Sequence, residues 1–405
     1  MIYREMKKTG DKLSALGFGC MRLPQKKGHP GDGKIDEERA TKQIRTAIDK
    51  GVNYIDTAAI YHMGDCEAFI GRALSDGYRE KVKLATKLTH LIINSREEMD
   101  SLLNSQLKKL KTNVIDCYLV HMLDGPSWQK MNNMGVCEFL NKAKADGKIT
   151  NIGFSFHGLQ EDFFKIVDAY DWDFCQIQYS FLDRKNQAGE KGLKYAAEKE
   201  MGVIVMEPLR GGMLARKPPK EIEELWDTAE IKRTPAEWAL RWTLNHPEVS
   251  VVLSGMNEEE HIEENIRVAN EAPSGSLTED ELKLVRKVEK KYLSIMKAGC
   301  TGCRYCMPCP NGVDIPVCFE TINDLKMYGN KKWADYWYMG RVALADNPGL
   351  ASQCEECGEC EEKCPQKLPI QNLLKDVADE FEGRFFPIKT WLMGKGFRFM
   401  MRRGM

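Results

Sequence analysis

No stretch of this chain approaches eighteen consecutive apolar residues, so nothing in it reads as a membrane-spanning helix. The start, MIYREMKKTG, has no apolar run of the kind a secretory leader needs, and the expectation is a cytoplasmic protein. An excess of charge is missing too. Against 59 Lys and Arg stand 60 Asp and Glu, and a net charge of −1 gives no global pull toward nucleic acid or membrane. The glycine-rich turn of an open dinucleotide-binding sheet is also absent. Its one candidate, GFGCM, lacks the third glycine and runs into the loop RLPQKKGHPGDGK. Cysteine is sparse over residues 1–299, where Cys20, Cys66, Cys117, Cys137 and Cys175 stand far apart and read as buried, inert thiols.

What the first 290 residues do have is a recurring pattern. Eight short apolar, β-branched runs, at 16–20, 53–58, 82–87, 115–121, 151–156, 174–180, 202–209 and 250–256, suit parallel strands buried on both faces. Helix starts lie between them. Ser95-Arg96-Glu97-Glu98 and Thr234-Pro235-Ala236-Glu237 predict capping boxes, the second with proline at the first helical position, and Thr278 opens a last helix. Eight strands alternating with helices predict a (β/α)8 barrel over 1–290. A smaller, mainly helical domain at 291–380 and a tail at 381–405 are expected to follow.

Chemistry in such a barrel sits at the C-terminal ends of the strands. Asp56 ends the second run, Tyr61 follows in DTAAIY, Lys87 ends the third and His121 the fourth. Each alone reads as structural; four on three successive strand ends point to one site. The stretch GVNYIDTAAIYHMGDCEAFIGRAL makes residues 1–290 resemble the aldo-keto reductases, whose catalytic Asp, Tyr, Lys and His fall on Asp56, Tyr61, Lys87 and His121. The resemblance implies hydride transfer between a nicotinamide and an aldehyde or ketone, with Tyr61 as general acid/base. A free tyrosine near pKa 10 is a poor proton donor and acceptor at neutral pH, and the ammonium of Lys87 would draw it down. Asp56 would hold the lysine, and a neutral His121 would orient the carbonyl oxygen.

The same resemblance implies where the nicotinamide lies. Tyr179 would stack on its ring, with Gln178 and Ser155 near the carboxamide. The backbone of Pro208, Leu209, Arg210, Gly211 and Gly212 would approach the diphosphate, and Ser254, Gly255 and Asn265 would border the adenosine. Two departures stand out. Ser-Phe-His at 155–157 replaces the common Ser-Asn, so His157 would have to serve the carboxamide. The loop after the eighth strand, Met256-Asn257-Glu258-Glu259-Glu260, offers acids where many relatives offer a cation for the 2′-phosphate, with His261 the one cation at hand. That favours NAD(H) over NADP(H).

The other nine cysteines crowd into residues 300–364, which in a reducing compartment argues for metal ligation. Cys354-x2-Cys357-x2-Cys360-x3-Cys364-Pro365 has the full two-cluster ferredoxin spacing, in which the cysteine before proline serves the other cluster. Cys300, Cys303, Cys306 and Cys309 are spaced alike, with one residue fewer in the last gap. The crossing rule gives one [4Fe–4S] cluster Cys300, Cys303, Cys306 and Cys364, and the other Cys354, Cys357, Cys360 and Cys309; Cys318 is left over. Zinc is the competing metal, although zinc sites favour separated pairs of cysteines. A single cluster is a further alternative. The helical segments between the runs carry Trp333, Tyr336, Trp337 and Tyr338, which suit packing around a cluster. The tail at 384–405 has six Lys or Arg and no acid. It would lie back on the protein or, alternatively, dock on an anionic membrane or a partner.

Clusters move single electrons and the barrel site moves a hydride, so three accounts compete. The barrel is a working carbonyl reductase whose clusters brace the module or serve a redox partner. Alternatively, the clusters feed a flavin such as FMN in the barrel mouth. In the third, the chain is an electron-transfer subunit with a docking barrel, against which the intact tetrad argues. The substrate would be shaped by loops 28–34, 123–135 and 181–192, with Trp128, Met131 and Met134 either as an apolar wall or, equally, as a cover on the barrel.

Overall fold

A computed structural model describes the chain except for residues 27–33, 301–305, 344–347, 365–367, 387, 389 and 391–405. Two compact units emerge, Met1–Arg216 with Glu230–Val285, and Lys217–Ala229 with the chain from Arg286 onward. In the first, all eight apolar runs become strands: β3 (Leu16–Gly19), β4 (Tyr54–Asp56), β5 (Lys83–Thr89), β6 (Ile115–Leu123), β7 (Ile149–Phe156), β8 (Phe174–Gln178), β9 (Gly202–Met206) and β10 (Val251–Ser254). They close into a parallel barrel in sequence order, with β10 pairing back to β3. Because each strand is buried on both faces, its sequence is a continuous apolar run and not an alternation. Inside the barrel Tyr54, Ala85, Leu119, Phe174, Ile204 and Val251 pack together.

A short antiparallel pair, β1 (Tyr3–Glu5) with β2 (Lys12–Ser14), precedes the barrel. The guanidinium of Arg4 donates to the carbonyls of His246, Val249 and Leu244 and so fixes this pair to the barrel.

Three helices position the site: α1 (Glu37–Asp49), α2 (Cys66–Ala73) and α3 (Arg96–Lys109). Ser95 caps α3 by accepting from the Glu98 amide, while the Glu98 carboxylate accepts from the Asn94 amide. Thr234 caps the helix Pro235–Leu244 in the same way, but Glu237 turns to Arg241 and Arg267 instead of back to its cap. The reciprocal box forms at Thr278, whose amide donates to Glu281 and whose hydroxyl accepts from the Glu281 amide.

In the second unit the helix Ile315–Tyr328 packs on Lys331–Tyr338 and on Ile370–Phe381. Its core holds Phe319, Ile322, Tyr338, Leu374 and Val377, together with Cys318, Cys360 and Cys364. Asn323 exchanges two hydrogen bonds with the backbone of Ala298, at 2.8 and 2.7 Å, and so anchors the chain just before the first cysteine run. Of the aromatics expected around a cluster, Tyr338 stacks on Phe381 and donates to Glu382. Trp333, Tyr336 and Trp337 pack on one another.

Candidate functional site

Asp56 ends β4, Lys87 lies in β5 and His121 in β6, and all three are buried. The Lys87 ammonium donates to both Asp56 oxygens at 2.8 and 2.7 Å, to the Thr57 carbonyl at 2.8 Å and toward the Tyr61 hydroxyl at 3.3 Å. Tyr61 is brought in by a tight turn in which His62 and Met63 take left-handed φ values of 48° and 54°, a backbone strain that clusters at working sites. The Tyr61 ring meets the His121 ring edge-on, with centroids 6.3 Å apart. After His121 the β6–β7 register slips and Met122 turns left-handed at φ 54°. Such a bulge re-aims the side chain beside it.

The charges of this group follow from its burial. Burial works against the Lys87 ammonium, but Asp56 and then Tyr61 outweigh it and hold its pKa above the ordinary lysine value. Burial raises the Asp56 carboxyl, and Lys87 opposes that rise. The Tyr61 phenol is pushed up to about 12 by burial, with Lys87 pulling the other way. The ammonium therefore moderates the phenol without bringing it to neutral pH. Part of the Tyr61 side chain meets solvent, and water tempers the rise. Burial, then the neighbouring Lys87, His157 and His90, depress His121 to about 2, so its imidazole is neutral. The buried Nδ1 of His121 has no hydrogen-bond partner among the described residues. Tyr61 and His121 thus form a polar corner of protonated phenol and neutral imidazole beside a fixed cation.

Behind Lys87 lies a buried network that the strand-end pattern did not signal. Glu67 of α2 accepts from the Thr86 hydroxyl and the Gln106 amide, both at 2.7 Å. Gln106 of α3 also donates to the Lys87 carbonyl at 3.0 Å, and Tyr118 donates to Gln106 at 2.8 Å. Its only sequence signal is polar residues at helix positions that face the core.

The expected nicotinamide contacts are gathered in part. Ser155 is buried and accepts from the Met122 amide at 2.8 Å, which ties it to the bulge after His121. The amide oxygen of Gln178 accepts from Gln187. Ser254 and Asn265 meet in a 2.9 Å hydrogen bond at the end of β10. Gly211 and Gly212, after Pro208 and Leu209, take φ values of 68° and 89°, which glycine adopts without strain. Gly255 stands across from Gly19.

Tyr179 departs from expectation. It is wholly buried, with its ring against Trp242 and His246 at 5.1 and 5.3 Å, and presents no face for stacking. For the loop residues Trp128 and Met131 the barrel-cover alternative holds. Met131 is fully buried and Trp128 packs on Trp172, so both cover the barrel flank. His261 is not the one cation beside the acids after β10: Arg39 of α1 reaches Glu259 at 2.9 and 2.5 Å and Glu258 at 2.5 Å. Loop 28–34 lies almost wholly outside the described residues.

In the second unit Cys306, Cys309, Cys354, Cys357 and Cys360 line one pocket together with Ile315 and Leu374. Cys300 and Cys364 belong to the same apolar cluster, and Cys303 lies outside the described residues. Among the described residues no three Cys, His or acidic side chains converge on one point as a mononuclear ion requires. Ligands of a cubane each meet a different iron, so thiols spread around a shared pocket fit that group. Cys318 is buried, with its sulfur 3.7 Å from the Gly349 carbonyl.

Residues 15–290 match the model of the aldo/keto reductase family. The chain belongs to that family. Residues 299–368 match a 4Fe-4S dicluster domain, so in this aldo/keto reductase an iron–sulfur module follows the barrel along the chain. It is 26% identical over 309 residues to an uncharacterized oxidoreductase, YqkF, of Bacillus subtilis, covering 69% of this chain and 94% of that one. It is likewise 26% identical over 309 residues to an L-galactose dehydrogenase of Arabidopsis thaliana, covering 70% of this chain and 93% of that one. Among solved structures, the holo form of aldo-keto reductase AKR11C1 from Bacillus halodurans superposes with a TM-score of 0.59 at 25% identity, covering 71% of this chain and 96% of that one. The aldo/keto reductase is therefore an oxidoreductase enzyme with a C-terminal 4Fe-4S domain. Among the described residues no helix is long and apolar enough to cross a membrane.

Proposed function

We propose that this aldo/keto reductase reduces an aldehyde or ketone with hydride from a nicotinamide, with Tyr61 as the proton donor. The observation that carries the reading is the Lys87 ammonium, held by both oxygens of Asp56 and placed 3.3 Å from the Tyr61 hydroxyl beside a neutral His121. A bound nicotinamide supplies the hydride. Tyr61, protonated at neutral pH, gives its proton to the carbonyl oxygen as charge builds there, and Lys87 stabilises the phenolate left behind. Asp56 keeps Lys87 charged and aimed. A hydrogen bond from the imidazole of His121 holds the carbonyl oxygen toward Tyr61. Ser155, Gln178, Pro208, Leu209, Gly211, Ser254, Gly255 and Asn265 are proposed to border the cofactor.

NAD(H) is the favoured cofactor. Arg39, which reaches the acids after β10, is taken up by the carboxylates of Glu258 and Glu259 and so is not free for a 2′-phosphate. In the second unit two [4Fe–4S] clusters are proposed, one on Cys354, Cys357, Cys360 and Cys309, the other on Cys300, Cys303, Cys306 and Cys364; they carry single electrons when bound. All four thiols of the first set line one pocket, which Cys306 of the second set also borders. A redox partner for the clusters and a cytoplasmic location complete the reading.

The test is an anaerobic purification followed by absorbance spectra with NADH, NADPH and a panel of aldehydes. NADH oxidation that requires an aldehyde and disappears in Tyr61→Phe supports the proposal. Flavin bands bleached by NADH would replace it with an FMN route.

A further inference from the structure

Arg22 closes the short turn Cys20–Arg22 that follows β3 and, among the described residues, has no carboxylate partner and makes one hydrogen bond, from Nη1 to the carbonyl of Gly211. A guanidinium has five N–H donors, so four here are uncommitted. The side chain is exposed to solvent. Its place is specific. A Cβ at Gly211 would stand 2.6 Å from Nη2 of Arg22, and a Cβ at Gly255 would stand 3.5 Å from Cβ of Arg22. Arg22 therefore spans the segments that follow the seventh and eighth barrel strands, β9 and β10. In barrels of this class those two loops are a frequent phosphate site. Glu207 and Arg216 are the charged neighbours close enough to influence it.

We propose that Arg22 is a clasp for the diphosphate of a bound dinucleotide, crossing from the first strand to the glycine pair after the seventh. The glycines at 211 and 212 then do two things. They let the backbone take its left-handed turn, and they leave the space into which the guanidinium reaches. A planar, permanently charged fork suits two adjacent phosphate groups better than a lysine would. When ligand is present, the free N–H groups turn to its oxygens, and the Gly211 carbonyl holds the arginine in place from behind. The inference rests on the nicotinamide reading for the identity of the ligand.

The experiment is anaerobic calorimetry on the full-length, cluster-loaded protein and on Arg22→Ala and Arg22→Lys, with NADH, ADP, adenosine and inorganic diphosphate as titrants. Arg22→Ala should weaken NADH and ADP by about tenfold or more, the usual effect of losing a charge-assisted contact. Adenosine should be unaffected, and Arg22→Lys should recover part of the loss. Equal NADH and ADP affinities in wild type and Arg22→Ala would overturn the assignment. A wild type that ignores NADH but binds diphosphate through Arg22 would remove the reductase reading and leave the clasp standing. If wild type binds none of the phosphate ligands, the clasp fails as well.

Discussion

At the residue scale, the protonation states make the site readable by pH. With His121 neutral down to about pH 2 and Tyr61 protonated up to about pH 12, neither changes state near neutrality. The kcat/KM for carbonyl reduction should therefore be flat from about pH 6 to about pH 8, across the range where an unperturbed histidine titrates. A limb near pH 6.5 that vanishes in His121→Gln would mean that His121 gains a proton there, against this assignment. In Lys87→Met the phenol loses the one charge that lowers its pKa, so the profile should stay flat while the rate falls by about 10²–10⁴. Steady-state NADH oxidation measures both effects. Glu67 is the second residue-scale test. Glu67→Leu leaves the Thr86 hydroxyl and one of the two Gln106 amide N–H groups without an acceptor, at about 1–3 kcal/mol for each buried group, while the Lys87 carbonyl still accepts from Gln106. Glu67→Gln keeps an acceptor oxygen and should lose much less, as urea unfolding midpoints of the two variants would show. Asp56, Lys87 and His121 were legible because a barrel puts strand ends in one place. Arg39 was not: its partners lie 219 and 220 residues away, and no local pattern announces such a pair.

At the element scale, the close approach of α2 to the end of α3 sets where the Tyr61 turn can stand. Gly71 permits it. A Cβ there would lie 2.2 Å from the Lys109 carbonyl oxygen and within 3 Å of the Leu110 backbone. Gly71→Ala must therefore push α2 away, costing about 1–3 kcal/mol. The shift should also lower activity, because α2 continues from the turn that presents Tyr61. Gly383→Ala, where a Cβ would meet nothing among the described residues, is the control and should leave the thermal midpoint unchanged. The eight strands were legible because burial on both faces writes itself as an apolar run. The β1–β2 pair was not, since YRE and KLS are three residues each and mostly polar, held by Arg4 instead of by a pattern of their own. Tyr179 failed for a related reason: a strand-end aromatic looks the same whether its ring faces the mouth or, as here, Trp242 and His246.

At the scale of the whole molecule, the question is how much iron the chain holds and where. Two clusters require about eight iron atoms per chain. Cys357→Ser and Cys309→Ser should each halve that number, whereas Cys318→Ser should leave it unchanged, because Cys318 is enclosed with Tyr338 and the Gly349 carbonyl. Iron analysis of anaerobically purified variants decides it, and a wild type with about four iron atoms would reduce the module to one cluster. The ferredoxin spacing made the 4Fe-4S domain readable in advance, since intervals of two residues keep successive thiols on one face of a small pocket. Cys357 differs from its neighbours in one respect: among the described thiols of the two runs it is the exposed one, whereas Cys360 and Cys364 are buried. An accessible thiolate is the first that dioxygen or peroxide can reach. On the bench, brown colour should fade in air from the Cys357 side inward.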